Sequence, residues 1–219
     1  MTALPAPAAV PATLPGQAAG YKLASVLLQY PTGALFDGLD ELDAAARSGP
    51  RAARGHLAVF LAWLRATPPR EVAQHYVETF DLRRRSALYL TYYRHGDTRR
   101  RGMALLAFKT AYRAAGLAPA GTELPDYLPV VLDFAAVAPG GEDLLRRHRA
   151  DLELLRRALH EAGTPYARVV DAVCAQLPRL GRRDLLRVRA AEQQGPPAED
   201  VGLEPFAPPG YLTGEQVNR

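Results

Sequence analysis

A chain of 219 residues with 48% hydrophobic content is long enough to bury one sizeable core, and no run approaches the roughly 18 apolar residues that a membrane crossing needs. Cys174 is the single cysteine, which excludes an intramolecular disulfide and a thiolate cluster for zinc. The net charge of +4 is uneven: from Glu192 to Arg219 five carboxylates face one arginine, a net −4, so the rest of the chain carries +8.

The first 20 residues, MTALPAPAAVPATLPGQAAG, are rich in alanine and proline and lack the basic side chain that opens a secretory signal. They read as a disordered segment (1–20) ahead of a helical domain (21–192) and an acidic, Pro/Gly-rich flexible tail (193–219). Apolar residues at helical spacing begin in YKLASVLLQYP, which stops at Pro31, and continue in ALFDGLDELDAAARSG, which stops at Gly49-Pro50. RAARGHLAVFLAWLRATPP is a third helix and REVAQHYVETFDL a fourth, with Val72, Tyr76 and Phe80 as an i, i+4, i+8 stripe. ALYLTYY is the one aromatic-rich run that could be extended; with helices on both sides and no partner strand it reads as helical. Asp97 or Thr98 is placed to cap a helix through RRRGMALLAFKTAYRAAG, with Gly116 as its stop. LPDYLPVVLDFAAVAPGG follows, with Pro125 near its first turn. EDLLRRHRADLELLRRALHEAG, TPYARVVDAVCAQLPRL and a short GRRDLLRVRAAEQQ complete an all-α pattern for a single-domain helical bundle.

The usual carriers of chemistry are missing from the sequence. None of the five histidines lies in H-E-x-x-H, and there is no phosphate-binding glycine loop and no G-x-S-x-G serine. His148 and Asp151 share a helix face, a pairing that a long charged helix produces by chance. Cys174 lies in the apolar run VVDAVCAQL and reads as a buried, inert thiol. An enzyme is therefore disfavoured, and neither a cofactor nor a metal is expected. Two stretches remain: YVETFDLRRRSALYLTYY, and ELPDYLP, where carboxylates flank Leu-Pro. Two readings of Asp126 stand here: a first-turn residue favoured by the helix dipole, or an acidic point on a binding surface.

Taken together, YVETFDLRRRSALYLTYYRHGDTRRRGMALLAFKTAYRAAGL and ELPDYLPVVLDFAA resemble the NarJ family, the assembly chaperones of respiratory molybdenum nitrate reductases. Much of residues 21–138 has the family's look, and VGLEPF near the end also fits. The wider group of TorD-like chaperones shows a Glu-x-Pro-Asp-His motif, which here reads Glu123-Leu124-Pro125-Asp126-Tyr127, with tyrosine replacing the histidine. The resemblance implies a cytoplasmic, non-enzymatic TorD-like helical bundle. It implies binding of the N-terminal segment of the apo catalytic (alpha) subunit. That subunit would be kept competent for insertion of molybdenum cofactor and an iron–sulfur cluster before it docks at the membrane.

Such a client segment is expected to be amphipathic and basic, so its site needs apolar surface with acidic points on the rim. Tyr76, Phe80, Leu88, Tyr89, Leu90, Tyr92 and Tyr93 are available as apolar surface, about half of them accessible, since aromatics both fill cores and mark interfaces. Glu78, Asp81, Glu123 and Asp126 are available as acidic points, with Pro125 between the last two. The arginine runs are expected to orient this groove and to pair with carboxylates. The rival from another class is a basic, helical nucleic-acid-binding protein, argued by the +8 body and the arginines beside tyrosines, and weakened by the lack of any recognised motif.

Overall fold

The computed structural model describes residues 2–3, 16–96, 98–119 and 122–194. Among them the chain is all-α apart from a two-residue parallel pair, β1 (Thr2–Ala3) with β2 (Leu117–Ala118). Helix α1 (Gly16–Leu27) begins five residues before the expected domain boundary at Tyr21. Gln17 donates to the Gln176 carbonyl at 3.1 Å, and Gly20 passes so close to the Gln176 side chain that a Cβ would push its amide aside. Residues 16–20 are therefore part of the folded domain. The rest of the expected N-terminal segment, except residues 2–3, lies outside the described residues, as does the tail from 195 onward.

The second expected helix is split at Gly38 into α2 (Gly33–Asp37) and α3 (Leu39–Ser48), the latter with Asp40 and Glu41 in its first turn and Arg47 in its last, matching the helix dipole. Helix α4 (Arg51–Ala66) ends where Thr67 turns extended before Pro68. Helix α5 (Pro69–Tyr76) opens on Pro69 and runs straight into a π-helical turn, Val77–Asp81. After a short 3₁₀ turn, Arg84–Ser86, come α6 (Tyr92–His95) and α7 (Arg100–Ala114). Arg99 holds the α7 N-cap position without a side-chain cap, and Asp97 lies outside the described residues. The expected stop at Gly116 has φ +72°, the left-handed conformation in which glycine ends helices. Helix α8 (Leu128–Val137) starts later than Pro125, and α9 (Gly141–Arg147) follows after one tight turn. Gly141 is required there, since a Cβ would overlap the backbone of Phe134 and Ala135. The long helix expected next breaks at His148, giving α10 (Arg149–Glu161), then α11 (Ala167–Ala175) and α12 (Arg182–Gln194).

Helix α1 packs along α8 and α11, and α4 lies between α3 and α11. Helix α10 bridges α11 and α12, while α8 carries α9. Between α1 and α8 the core holds an ion pair, Lys22 Nζ to Asp133 Oδ1 at 3.0 Å, with side chains 3% and 5% exposed. Burial pushes the Asp133 carboxyl above its ordinary range and the facing Lys22 opposes that rise. Phe60, Trp63, His75, Tyr76, Phe80 and Tyr166 form one aromatic cluster, with ring centroids 4.8–6.0 Å apart in the contacting pairs. The Val72, Tyr76, Phe80 stripe thus faces the core as its spacing requires.

Candidate functional site

ALYLTYY is not a helix along its length. Tyr89 forms an antiparallel β-bridge with Tyr127, the Leu90 N–H donates to the Asp126 carbonyl at 3.1 Å, and the Leu128 N–H donates to the Leu88 carbonyl at 2.7 Å. Only Tyr92–His95 turns helical. The missing strand partner is the other singled-out stretch, over 30 residues away, so the backbone groups of residues 88–90 are satisfied across the fold rather than along it.

Asp126 sits at the centre of this junction with no accessible surface. Its Oδ2 accepts from the Thr91 N–H at 3.1 Å and from Thr91 Oγ1 at 2.6 Å, with Arg101 Nη2 at 3.5 Å. Arg101 Nε donates in turn to Thr91 Oγ1 at 3.2 Å, and its guanidinium lies over the rings of Tyr89 and Tyr92 at 5.4 and 5.8 Å. Tyr112 donates to the Pro125 carbonyl at 2.5 Å, which fixes the other side of the turn. Neither reading of Asp126 from the sequence fits. It lies two residues before α8 rather than in its first turn, and its carboxylate holds the Thr91 backbone instead of facing solvent.

Beside this junction lies a face rich in phenols. Tyr76 donates its hydroxyl to the Leu28 carbonyl at 3.1 Å, and the hydroxyl oxygens of Tyr76 and Tyr127 are 3.4 Å apart. The ring of Tyr30, 52% exposed, meets Tyr76 edge-on at 5.5 Å. The Tyr89 and Tyr127 rings are 5.4 Å apart, and Tyr89 donates to Glu123 Oε2 at 3.4 Å. Burial, then the charges of Glu123 and Asp81 among its neighbours, push the Tyr127 phenol up to about 12. Burial first, then Tyr127, raises Tyr76 further; burial first, then Glu123, raises Tyr89. All three stay protonated donors at neutral pH, with exposed carboxylates at Asp81 and Glu123 and exposed apolar side chains at Leu82 and Leu124 alongside.

The expected residues divide into two groups. Tyr89, Asp81 and Glu123 lie on this face and are at least partly open. Tyr76, Phe80 and Tyr93, at 5–8% exposure, belong to the core, as do Leu88, Leu90 and Tyr92; Pro125 and Asp126 are buried as well. The expectation that half of the aromatics are accessible is corrected: only Tyr89 of that set is. Tyr76 and Phe80 are buried against Tyr166 in the aromatic cluster, and the Tyr93 hydroxyl is turned inward to the Arg85 and Ala87 carbonyls. Glu78 is exposed and accepts from Gln74 Nε2 at 2.8 Å, without a contact to the tyrosines among the described residues. The expected pairing of the first arginine run is also corrected, since Arg83, Arg84 and Arg85 are exposed and make no ion pair among the described residues. Tyr30 had no signal in the sequence; Thr91 lay in the singled-out ALYLTYY and Arg101 in an arginine run expected to pair with carboxylates, as it does with Asp126, while Tyr127 stood out as the residue in place of the motif's histidine.

No group of three or more His, Cys, Asp or Glu side chains among the described residues could hold a metal ion, and no helix there is long and apolar enough to cross a membrane. Comparison with known proteins supplies the lineage. Residues 43–171 match the model of the nitrate reductase delta subunit family. The chain is 46% identical over 156 residues to the nitrate reductase-like protein NarX of Mycobacterium tuberculosis, covering 70% of this chain and 24% of that protein. It is 32% identical over 163 residues to the probable nitrate reductase molybdenum cofactor assembly chaperone NarJ of Bacillus subtilis, covering 73% of this chain and 89% of that one. It is also 32% identical over 154 residues to the chaperone NarJ of Escherichia coli K12, covering 65% of the latter. With the family match spanning both the Tyr89 and the Asp126 sides of the junction, the chain belongs to the nitrate reductase delta subunit family.

Proposed function

We propose that the protein is a non-catalytic assembly chaperone for a molybdenum nitrate reductase, working in the cytoplasm. It binds the N-terminal segment of the apo catalytic subunit and keeps that subunit competent for molybdenum cofactor and iron–sulfur insertion before membrane docking. The observation that carries this reading is the junction of the two stretches that resemble the family. Their pairing brings Tyr89, Tyr127, Asp81 and Glu123 to one face, and Tyr30 joins it by packing edge-on against Tyr76. An amphipathic basic segment finds there apolar ring surface, phenol donors for its carbonyl groups and two carboxylates for its cations. Family membership and the names of the NarJ relatives support the client.

The test is calorimetric titration of the full chain with the N-terminal peptide of the cognate catalytic subunit. Wild-type protein is expected to bind, and the double variant Asp81→Asn, Glu123→Gln to bind about tenfold more weakly, as loss of charged contacts of roughly 1.5–3 kcal/mol implies after screening at an exposed face. Equal binding by both proteins rejects the site. Absence of binding by folded wild-type protein rejects the function.

A further inference from the structure

A second concavity, of about 590 Å³, lies between α6, the α9–α10 junction and α12. Its volume is in the range that small ligands occupy, roughly 300–1,000 Å³. Five arginines reach it, and they differ in how far they are committed. Arg94 is fixed: its Nε donates to buried Asp151 at 2.8 Å and its Nη2 to the Arg147 carbonyl at 3.2 Å, while His148 Nδ1 holds the other Asp151 oxygen at 2.8 Å. Arg149 is turned to Glu153 at 3.1 Å. Arg146 meets Glu142 and Asp143 on its own helix, an exposed arrangement of little strength. Among the described residues Arg187 meets only Asp184, at 3.7 Å, with its side chain 73% exposed. Arg147 is exposed, and its guanidinium has no ion pair or hydrogen bond among the described residues. The rest of the lining combines Asp151, Asp184 and Gln194 with an apolar wall that includes Leu154, Leu180 and Ala191.

The proposed client site makes no use of this cleft, and a basic client segment would be repelled from it. Guanidinium forks match phosphate oxygens two at a time, which a point charge does not. A rigid arginine flanked by two uncommitted ones, facing an apolar wall, suits a compact anion with an uncharged body. A nucleic-acid strand needs an extended basic track, and here Asp151 and Asp184 interrupt the basic surface within a few residues. We propose that this cleft binds a small organic phosphate, with Arg147 and Arg187 as its principal phosphate contacts, Arg94 as a fixed third, and the apolar wall under the rest of the ligand.

Phenyl phosphate serves as the probe, titrated calorimetrically into the full chain, with citrate as a polyanion of different geometry. Saturable binding of phenyl phosphate is expected, tighter than that of citrate. The double variant Arg147→Ser, Arg187→Ser is expected to lose about tenfold or more in affinity, a change of about 1.4 kcal/mol or more. Arg113→Ser, an exposed arginine of α7 away from the cleft, is expected to bind as the wild type does. Because both cleft positions are solvent-facing, the variants should keep the wild-type circular dichroism spectrum, which is recorded on the same preparations. No saturable binding by wild-type protein overturns the proposal. So does citrate binding as tightly, or a double variant that binds phenyl phosphate unchanged.

Discussion

The tyrosine face and the arginine cleft are built on the two ends of one short segment, Tyr89 at one and Tyr93–Arg94 at the other, and the carboxylate at the junction beside the first contrasts with the guanidiniums that line the second. Beside the face, the Asp126 carboxylate is wholly buried and bonded to the backbone and hydroxyl of Thr91. In the cleft, the Arg94, Arg146 and Arg187 side chains keep 47%, 50% and 73% of their surface in water. A buried charge bonded to the backbone becomes part of the fold, so its loss is felt as instability. A solvent-facing charge contributes little to stability and remains available to a partner, so its loss is felt as binding.

The strongest way to break this comparison is Asp126→Ala. It leaves the Thr91 N–H without its acceptor and Arg101 without this carboxylate, and is expected to cost about 3–5 kcal/mol of stability in chemical denaturation, the range for removing one partner of a buried charged pair. A loss of peptide affinity with unchanged stability would place Asp126 on the binding surface after all.

Glu153 offers the next effect. Its carboxylate, 6% exposed, accepts from Arg149, Arg156 and Arg157 at 2.8–3.2 Å. Burial alone would raise its pKa, but the hydrogen bonds from Arg156 and Arg157 outweigh it and hold the group at about 2, against an ordinary 4.5. A carboxyl depressed in the fold stabilises above its unfolded pKa, and that contribution is lost as pH falls through the folded value. Wild-type melting temperature is therefore expected to drop between about pH 4.5 and pH 2 more steeply than that of Glu153→Gln. At pH 7 the variant should be less stable by about 1.5–3 kcal/mol, the scale of charged hydrogen bonds, because the three arginines lose their common acceptor. Parallel pH profiles for the two proteins would show that Glu153 is not the group responsible.

Tyr89→Ala sharpens the contrast from the other side. The ring is half-buried and packs on Tyr127 and Arg101 at the surface, so the expected outcome is a loss of peptide affinity of about tenfold with a stability change of about 1 kcal/mol. Calorimetry and thermal unfolding on one preparation separate the two. The smallest expected effect is at Cys174, 8% exposed, where burial pushes the thiol up to about 12. Native protein should resist a thiol reagent at pH 8 and react only on unfolding; rapid labelling of folded protein would mean that α11 opens readily.

The all-α class, the buried stripe of Val72, Tyr76 and Phe80, the stop at Gly116 and the burial of Cys174 were legible in the residues themselves. Each depends on neighbours within a few turns, where the 3.6-residue period and glycine's left-handed conformation act directly. The breaks at Gly38 and His148 were not legible, because the apolar pattern continues across them and only packing against other helices sets the angle. The extended course of residues 88–90 was hidden for a different reason: a β-bridge needs a partner, and Tyr127 is far away in sequence. Asp126 shows the same limit in its charge. Its residue type and place beside Pro125 marked it as important, but whether a carboxylate faces water or a backbone N–H depends on which donors the fold brings to it. Thr91 and Arg101 arrive from other elements, and only the tertiary structure decides that they do.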